Sequence, residues 1–181
     1  MKNVSTHAYF LRHGAIDLPP SGVSAPSTPL NDTGRVQAAT LGRYLRAASV
    51  VPNRVYVSPM DRNRQTARIV LAELGAAIPV RENIGLQGPG PAESDAAAAQ
   101  RIYGIVNKLC GDVIGNVDAE NILFFAHGMT IRCMAARICN WSQADIDKTA
   151  IPNASISLMI RTYGHWQVSY VGNDPLRKEL W

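Results

Sequence analysis

Asn121-Ile-Leu-Phe-Phe-Ala126-His127-Gly128 is the stretch that decides the fold. Its apolar part, Asn121–Ala126, predicts a buried strand, and the strand is cut off by a His-Gly pair. A second apolar run, His7-Ala-Tyr-Phe-Leu-Arg12, stops in the same way at His13-Gly14. Between and around these two strands the chain alternates strand-like and helix-like segments. Arg54–Val57 reads as a strand ending at Ser58-Pro59, and Ile78–Val80 as a short third one. Gly34–Ala48 places Val36, Leu41, Tyr44, Leu45 and Ala48 near one helical face. Arg62–Leu74 is a second helix with Gly75 as its stop, and Glu93–Leu109 a third. Met129–Cys139 is a fourth, with Asn140 as a left-handed cap, and Ser142-Gln-Ala-Asp145 carries a helix-start signature. Ser155–Arg161 and Trp166–Val171, joined around Tyr163-Gly164, read as a hairpin. Asp17–Pro29 and Glu82–Pro91, dense in Pro, Ser and Gly, are loops. Alternating β and α units predict a three-layer α/β/α sandwich around a mostly parallel sheet.

Length and composition bound the rest. The chain has 181 residues, 46% hydrophobic and 18% charged, which fits one domain spanning residues 1–181 and argues against disorder. A chain of this size buries enough surface to fold without a metal or disulfide. No apolar run has the length of a membrane span, and the start, MKNVSTHAYFLRHG, lacks the apolar core of a secretory signal. The net charge is +4, with the arginines scattered. Without a basic run, nucleic acid is not an expected partner. The expected partner is instead a small anionic ligand in a locally positive pocket. Three cysteines, Cys110, Cys133 and Cys139, lack metal-type spacing and predict reduced thiols in a cytoplasmic setting. Cys133 and Cys139 are expected in the core. The C-terminal Asp174–Trp181 reads equally as a tail or a contact, and the oligomeric state stays open.

The chemistry concentrates at predicted strand ends. In parallel α/β sheets, ligands gather at the carboxyl ends of the strands. His13 and His127 occupy two such ends, and a glycine after each allows a tight turn and close backbone approach. A third end, Val55-Tyr-Val-Ser58-Pro59-Met-Asp-Arg62, opens a helix that Ser58 could cap, with Arg62 in its first turn. A cation there opposes the helix macrodipole, so the position makes sense if an anion shares the site. Arg12 and Arg62 would hold that anion with permanently charged, planar forks. Arg64 reads as a solvated surface residue, and Trp141, Trp166 and Trp181 as packing or surface aromatics.

These residues resemble the histidine phosphatase superfamily, the phosphoglycerate mutase-like or RHG-motif family. The matches run in order along nearly the whole chain. They begin with Leu11-Arg12-His13-Gly14 and Pro29-Leu30-Asn-Asp-Thr-Gly34-Arg-Val-Gln37-Ala38. Ser58-Pro59 through Arg62 to Gln65-Thr66-Ala67 follows, then Ala92-Glu93-Ser94 with Arg101. His127-Gly128-Met-Thr-Ile-Arg132, Asn153-Ala-Ser155 and Gly172-Asn173-Asp174 complete the set.

The resemblance implies that His13 is the nucleophile, becoming phosphorylated, and that Arg12, Arg62 and His127 surround the equatorial phosphoryl oxygens. The backbone at Gly128, where a helix starts, adds a donor. Between two arginines and a phosphate, His127 is expected to be partly protonated. Three cationic groups can replace a metal ion, so neither metal nor cofactor is expected. The family's proton donor follows the third strand, and Glu82 is the best match. Its spacing to Leu86-Gln87-Gly88 is shorter than the mutase pattern, so Glu93 and Asp17 remain open. Arg132 is expected to be structural, and Asn153 and Ser155 to organise the loop around His127.

Two departures bear on the reaction. The residues after the RHG triplet, Ala15-Ile-Asp17-Leu-Pro19-Pro20, lack the substrate contacts of mutases. The segment between Glu82 and Glu93 lacks the long mutase insertion, which resembles a short-lid phosphatase branch. An open site favours water over phosphoryl return. The expectation is a metal-independent phosphatase that hydrolyses small-molecule phosphomonoesters through a phosphohistidine on His13. A protein phosphohistidine phosphatase, a phosphoglycerate mutase-type phosphotransferase and a catalytically weak phosphate-binding module are the alternatives.

Overall fold

Ser5–Arg12 forms β1 and Ala119–Ala126 forms β4, and the two lie side by side, parallel, with Phe10 opposite Phe124. The computed structural model describes residues 5–111 and 119–176. Residues 177–181, and with them most of the C-terminal segment and Trp181, lie outside the described part.

Ile122–Ala126 of β4 is buried on both faces, which explains its unbroken apolar sequence, while β1 alternates half-buried and buried residues up to Phe10 and Leu11, which are both buried. Ala8, Phe10, Ile122 and Phe124 point to one side of the sheet, and Leu11, Leu123 and Phe125 to the other. On the first side Phe10, Phe124 and Tyr56 stack across three strands, with ring centroids 4.9 and 5.5 Å apart. Phe10, Phe124 and Phe125 are fully buried, each stabilising the fold by about 1.5–3 kcal/mol relative to exposure.

The sheet has six strands in the order β3-β2-β4-β1-β5-β6. β2 (Arg54–Val57) pairs parallel with β4 and with β3 (Val80–Glu82). β5 (Ile156–Thr162) runs antiparallel to β1, and β6 (His165–Asn173) antiparallel to β5. Tyr163 and Gly164 join them, both at positive φ (52° and 82°), as a tight hairpin turn requires. The expected mostly parallel sheet is thus four parallel strands extended by a hairpin.

Helices cover both faces. α1 (Asp32–Ala47) and α2 (Asp61–Leu74) pack together over Leu11, Leu123 and Phe125. α3 (Asp95–Gly111) and α4 (Gly128–Cys139) pack over Phe10 and Phe124. α5 (Gln143–Lys148) is a short turn of helix started by a capping box between Ser142 and Asp145. Among the described residues no helix is long and apolar enough to cross a membrane.

Several boundaries move. Asn31 caps α1 by accepting from the Gly34 N–H, and the helix starts at Asp32, two residues before the apolar face that begins at Gly34. β3 begins at Val80, past Pro79, which has no N–H to give a ladder. The loop after Glu82 contains a 3-10 turn, Ile84–Leu86. Gly75 and Asn140 do end their helices in the left-handed conformation, at φ 70° and 55°. Cys110 and Cys133 are buried, but Cys139 is exposed at the last turn of α4, outside the core.

Candidate active site

The parallel strands β1, β2 and β4 deliver His13, Ser58 and His127 to the same end of the sheet. His13 follows β1 and is held on all sides by backbone. Its N–H donates to the Ala126 carbonyl, and its own carbonyl accepts from the Ala154 N–H and from Asn153 Nδ2 at 3.1 Å. Asn153 therefore organises the turn at His13 rather than the loop at His127. The next residue, Gly14, lies so close to Gly34 that a Cβ would collide with that backbone. Its N–H donates to Thr66 Oγ1 at 3.2 Å. The turn that carries the histidine is thus clamped between α1, α2 and the loop before β5.

The His13 ring is 6% exposed. Its Nδ1 lies 2.8 Å from the Gly14 carbonyl oxygen. A carbonyl only accepts, so Nδ1 carries the proton and Nε2 keeps its lone pair. Burial lowers the imidazole pKa to about 4, with Arg12 and Arg62 adding to the effect against the Gly14 hydrogen bond. The ring is therefore neutral near pH 7, as a nucleophile must be.

His127 ends β4 and precedes α4. Its ring sits edge-on to His13, with centroids 5.3 Å apart. Nε2 is 2.9 Å from Ser58 Oγ and 3.0 Å from Asn63 Nδ2. Burial, followed by His13 and the two arginines, brings its pKa to about 3. In the free site burial and three neighbouring groups oppose a charge on His127, whereas the expected partial protonation concerns the site with a phosphate between the arginines. Ser58 is not the cap of α2. Met60 occupies that position without a side-chain bond, and Ser58 serves the imidazole.

Two guanidiniums, Arg12 and Arg62, act on these rings, and a third, Arg132, lies beside Arg12. Arg12, the last residue of β1, donates from one Nη to the Ile151 carbonyl. Its N–H donates to the Ser155 carbonyl. Arg62, in the first turn of α2, donates to the Ala25 carbonyl at 3.1 Å and rests on Met60 Sδ. Arg132, on α4, contacts Met129 Sδ at 3.6 Å and lies close enough to Arg12 to repel its charge. The Nε atoms of all three are buried without a partner, and none of the three is paired with a carboxylate among the described residues. Arg132 thus makes a contact with its own chain, as expected of a structural residue, and also adds its charge beside Arg12. A buried cation without a counter-charge costs several kcal/mol, and an anion among these three forks would remove that cost. Burial lowers the pKa of Arg12 and Arg62, which leaves both protonated at any ordinary pH.

Gly128 opens α4, so its N–H lacks an acceptor within the helix. A Cβ there would make only ordinary contact with the Arg12 guanidinium at 3.6 Å. The close approach that demands glycine is at Gly14, not at Gly128. Among the described residues no three His, Cys, Asp or Glu side chains cluster as metal ligands.

The structure does not bring Glu82 to the histidines. Its backbone pairs with Val57, whose side chain enters the α1/α2 core, so Glu82 projects toward α2. There both carboxylate oxygens accept from Arg64, at 2.7 and 2.9 Å. Arg64 is accordingly an exposed ion-pair partner rather than a free surface charge. That hydrogen bond lowers the Glu82 pKa, the wrong direction for an acid that must donate near neutrality. Glu93 is bound to Arg101, which holds its pKa at about 2. Asp17 accepts from Asn31 Nδ2 at 2.8 Å.

Two participants escaped the sequence reading. Asn63 is fully buried, and the apolar periodicity of α2 through Ala67 and Val70, run backward one turn, would have put it on the inner face. The Ile151 carbonyl carries no sequence signal.

The sequence profile of the histidine phosphatase superfamily (branch 1) matches residues 8–87 and 82–174. A serine/threonine-protein phosphatase Pgam5, mitochondrial, of Drosophila virilis is 26% identical over 185 residues, which is 92% of this chain and 63% of the relative. The chain thus spans less than two thirds of the curated relatives it matches. A phosphoglycerate mutase from Bacillus anthracis superposes with a TM-score of 0.80 at 17% identity, covering 95% of each chain. A phosphoserine phosphatase of Entamoeba histolytica gives 0.78 at 15% identity, covering 95% of this chain and 100% of that one. The fold, the extent of the profile match and the paired histidines together show that this chain belongs to the histidine phosphatase superfamily.

Proposed function

We propose that the protein is a metal-independent phosphatase that passes a phosphoryl group from a small-molecule phosphomonoester to His13 and then to water. The observation that supports this most directly is a set of three guanidiniums, each with a buried Nε that has no partner and none paired with a carboxylate among the described residues, beside two buried imidazoles. Such a set attracts a phosphoryl group and repels a cation.

In the first step the lone pair of His13 Nε2 forms a bond to phosphorus, and the bond to the leaving oxygen breaks. Nδ1–H donates to the Gly14 carbonyl throughout, so the charge that develops on the ring is shared with the backbone. Arg12, Arg62, Arg132 and His127 face the equatorial oxygens and stabilise the dispersed negative charge. In the second step water attacks phosphorus, the P–N bond breaks, and the electron pair returns to Nε2. The water's proton passes to solvent or to the phosphate formed, and inorganic phosphate departs.

Among the described residues the three candidate acids are bound elsewhere, Glu82 to Arg64, Glu93 to Arg101 and Asp17 to Asn31, and none is placed to protonate the leaving oxygen. This favours substrates whose leaving group departs with little help, and it carries a second reading, a phosphohistidine in a protein. There the leaving group is an imidazole that can arrive already protonated on its other nitrogen. Relatives described as protein phosphatases support a protein substrate as well.

The test is hydrolysis of an aryl phosphate and of a phosphohistidine peptide from pH 5 to 8 with EDTA present, beside His13→Ala. EDTA-resistant turnover that disappears in His13→Ala supports the proposal, and the faster substrate separates its two forms. Turnover that requires added metal, or that survives in His13→Ala, contradicts it.

A further inference from the structure

We infer that Asn63 is a positioning residue: its side-chain amide occupies His127 Nε2, confines the ring proton to Nδ1, and so makes His127 a donor to a phosphoryl oxygen while the ring is neutral. The inference deepens the proposed function, because it assigns His127 its role at the same phosphate site.

The geometry is restrictive. An amide nitrogen only donates, so Asn63 Nδ2, 3.0 Å from Nε2, requires Nε2 to accept. A neutral imidazole that accepts at Nε2 carries its proton on Nδ1. The Ser58 hydroxyl, 2.9 Å from Nε2, does not decide the matter, since it can donate or accept. Asn63 alone is selective. The Nδ1 atom of His127 has no protein partner among the described residues. The two rings, with centroids 5.3 Å apart, are therefore left with complementary free atoms. His13 offers a lone pair at Nε2, and His127 offers an N–H at Nδ1.

This orientation of the amide leaves one of its atoms without a partner. Asn63 is fully buried, and its Oδ1 has no hydrogen-bond partner. A rotation of the amide would satisfy Oδ1 by placing it against Nε2, but only if Nε2 carried the proton. A neutral ring of that tautomer would turn its Nδ1 lone pair toward the phosphoryl oxygens and repel them. The charged and titratable groups facing His127 are His13 and Arg12 from β1 and Arg62 from α2, with Arg132 beside Arg12. None is an acid, so none can lend His127 a proton. A tautomer fixed by Asn63 provides the donor without one.

Nitrogen-15 NMR of the histidine-labelled full chain reads the tautomer directly, and binding of inorganic phosphate reads its consequence. In the native protein His127 is expected as the Nδ1–H form from pH 5 to 8, with phosphate affinity free of any titration of that ring. In Asn63→Asp the carboxylate demands a proton on Nε2. The ring should then titrate within this range, and phosphate affinity should weaken by up to about tenfold per pH unit above that titration. Ser58→Ala should keep the Nδ1–H form, because Asn63 remains.

An Nε2–H form in the native protein overturns the inference, and that measurement needs no variant. A switch to Nε2–H in Ser58→Ala overturns it too, as does an Asn63→Asp protein with unchanged tautomer and affinity. A native protein that shows the Nδ1–H form but binds no phosphate retires the proposed function, while the tautomer still upholds the role of Asn63.

Discussion

Arg54 and Arg62 stand at opposite ends of β2 and are equally buried, 7% and 6% exposed, yet they are built for different purposes. Arg54 is saturated. Its Nε and one Nη donate to the two oxygens of Glu120 at 2.5 and 2.6 Å, and the other Nη to the Leu109 carbonyl. Arg62 has a carbonyl, a thioether and an unpartnered Nε, and no carboxylate. Burial alone does not separate a structural arginine from a functional one. The completeness of its partners does. Of the four arginine Nε atoms buried without a partner among the described residues, three belong to Arg12, Arg62 and Arg132, and the fourth, on Arg161, lies toward the other end of β5.

The sharpest way to break this contrast is to neutralise each arginine in turn. Arg62→Met should lower kcat/KM for an aryl phosphate by about 10²–10³-fold, the usual loss for one transition-state donor. Its thermal stability should hold or rise, because an unpaired buried charge has been removed. A melting curve and initial rates on the same sample check both halves.

Arg54→Met should do the reverse. It strands the Glu120 carboxylate, and urea unfolding should show a loss of about 3–5 kcal/mol. Activity per folded molecule should stay unchanged, and adding Glu120→Leu should restore most of the stability. If the activity falls as steeply as in Arg62→Met, the two ends of the sheet are not functionally distinct.

Phosphate should separate the two arginines again by stabilising only the site end. At a hundred times its Kd a ligand adds about 2.7 kcal/mol. The native protein and Arg54→Met should therefore melt higher in phosphate, and Arg62→Met should respond much less. Equal shifts in all three would show that the ion acts on the protein generally.

Acid should weaken the site end through its histidines. His13 and His127 titrate at about 4 and about 3 in the fold, below the unperturbed 6.5. As pH falls from 6.5 toward 4 the unfolded chain takes up protons first, so stability falls over that window. Above 6.5 both states hold neutral rings, and these groups add no slope. A profile that is flat from pH 6.5 to about 5 in a His13→Ala, His127→Ala double variant, with only the carboxylate loss below that, against one falling from 6.5 in the native chain, is the expected pair of results.

Glu82→Gln should have the smallest effect. It removes one exposed hydrogen-bonded pair with Arg64, is expected to leave kcat unchanged, and alters stability only slightly. A kcat that collapses in Glu82→Gln would reinstate Glu82 as the proton donor and contradict its placement on the α2 side.

The same contrast explains what could be read from the sequence. β4 was legible because both faces are buried, leaving the Ile-Leu-Phe-Phe run, and β1 because its half-buried face still carries Tyr9 beside the buried Phe10 and Leu11. β3 was displaced because Val80, Arg81 and Glu82 are all exposed on an edge strand, where no apolar pattern marks the register. Arg12, His13, Arg62 and His127 were legible because strand ends announce them. Arg132 was read as structural, which its contact with Met129 fits, but its charge beside Arg12 was not legible because the fold brings the two together. Asn63 was missed because only the folded chain brings it to His127. Glu82 was misplaced for a one-residue reason. Side chains alternate along a strand, and Glu82 shares its face with Val57 rather than with the histidines.

The most direct test of the whole account is to quench the native protein during turnover of an aryl phosphate and map the phosphoryl group by mass spectrometry. An acid-labile phosphoryl group on His13, absent in His13→Ala and undiminished by EDTA, is the predicted result. Turnover that leaves His13 unmodified in rapidly quenched samples and continues in His13→Ala would contradict it.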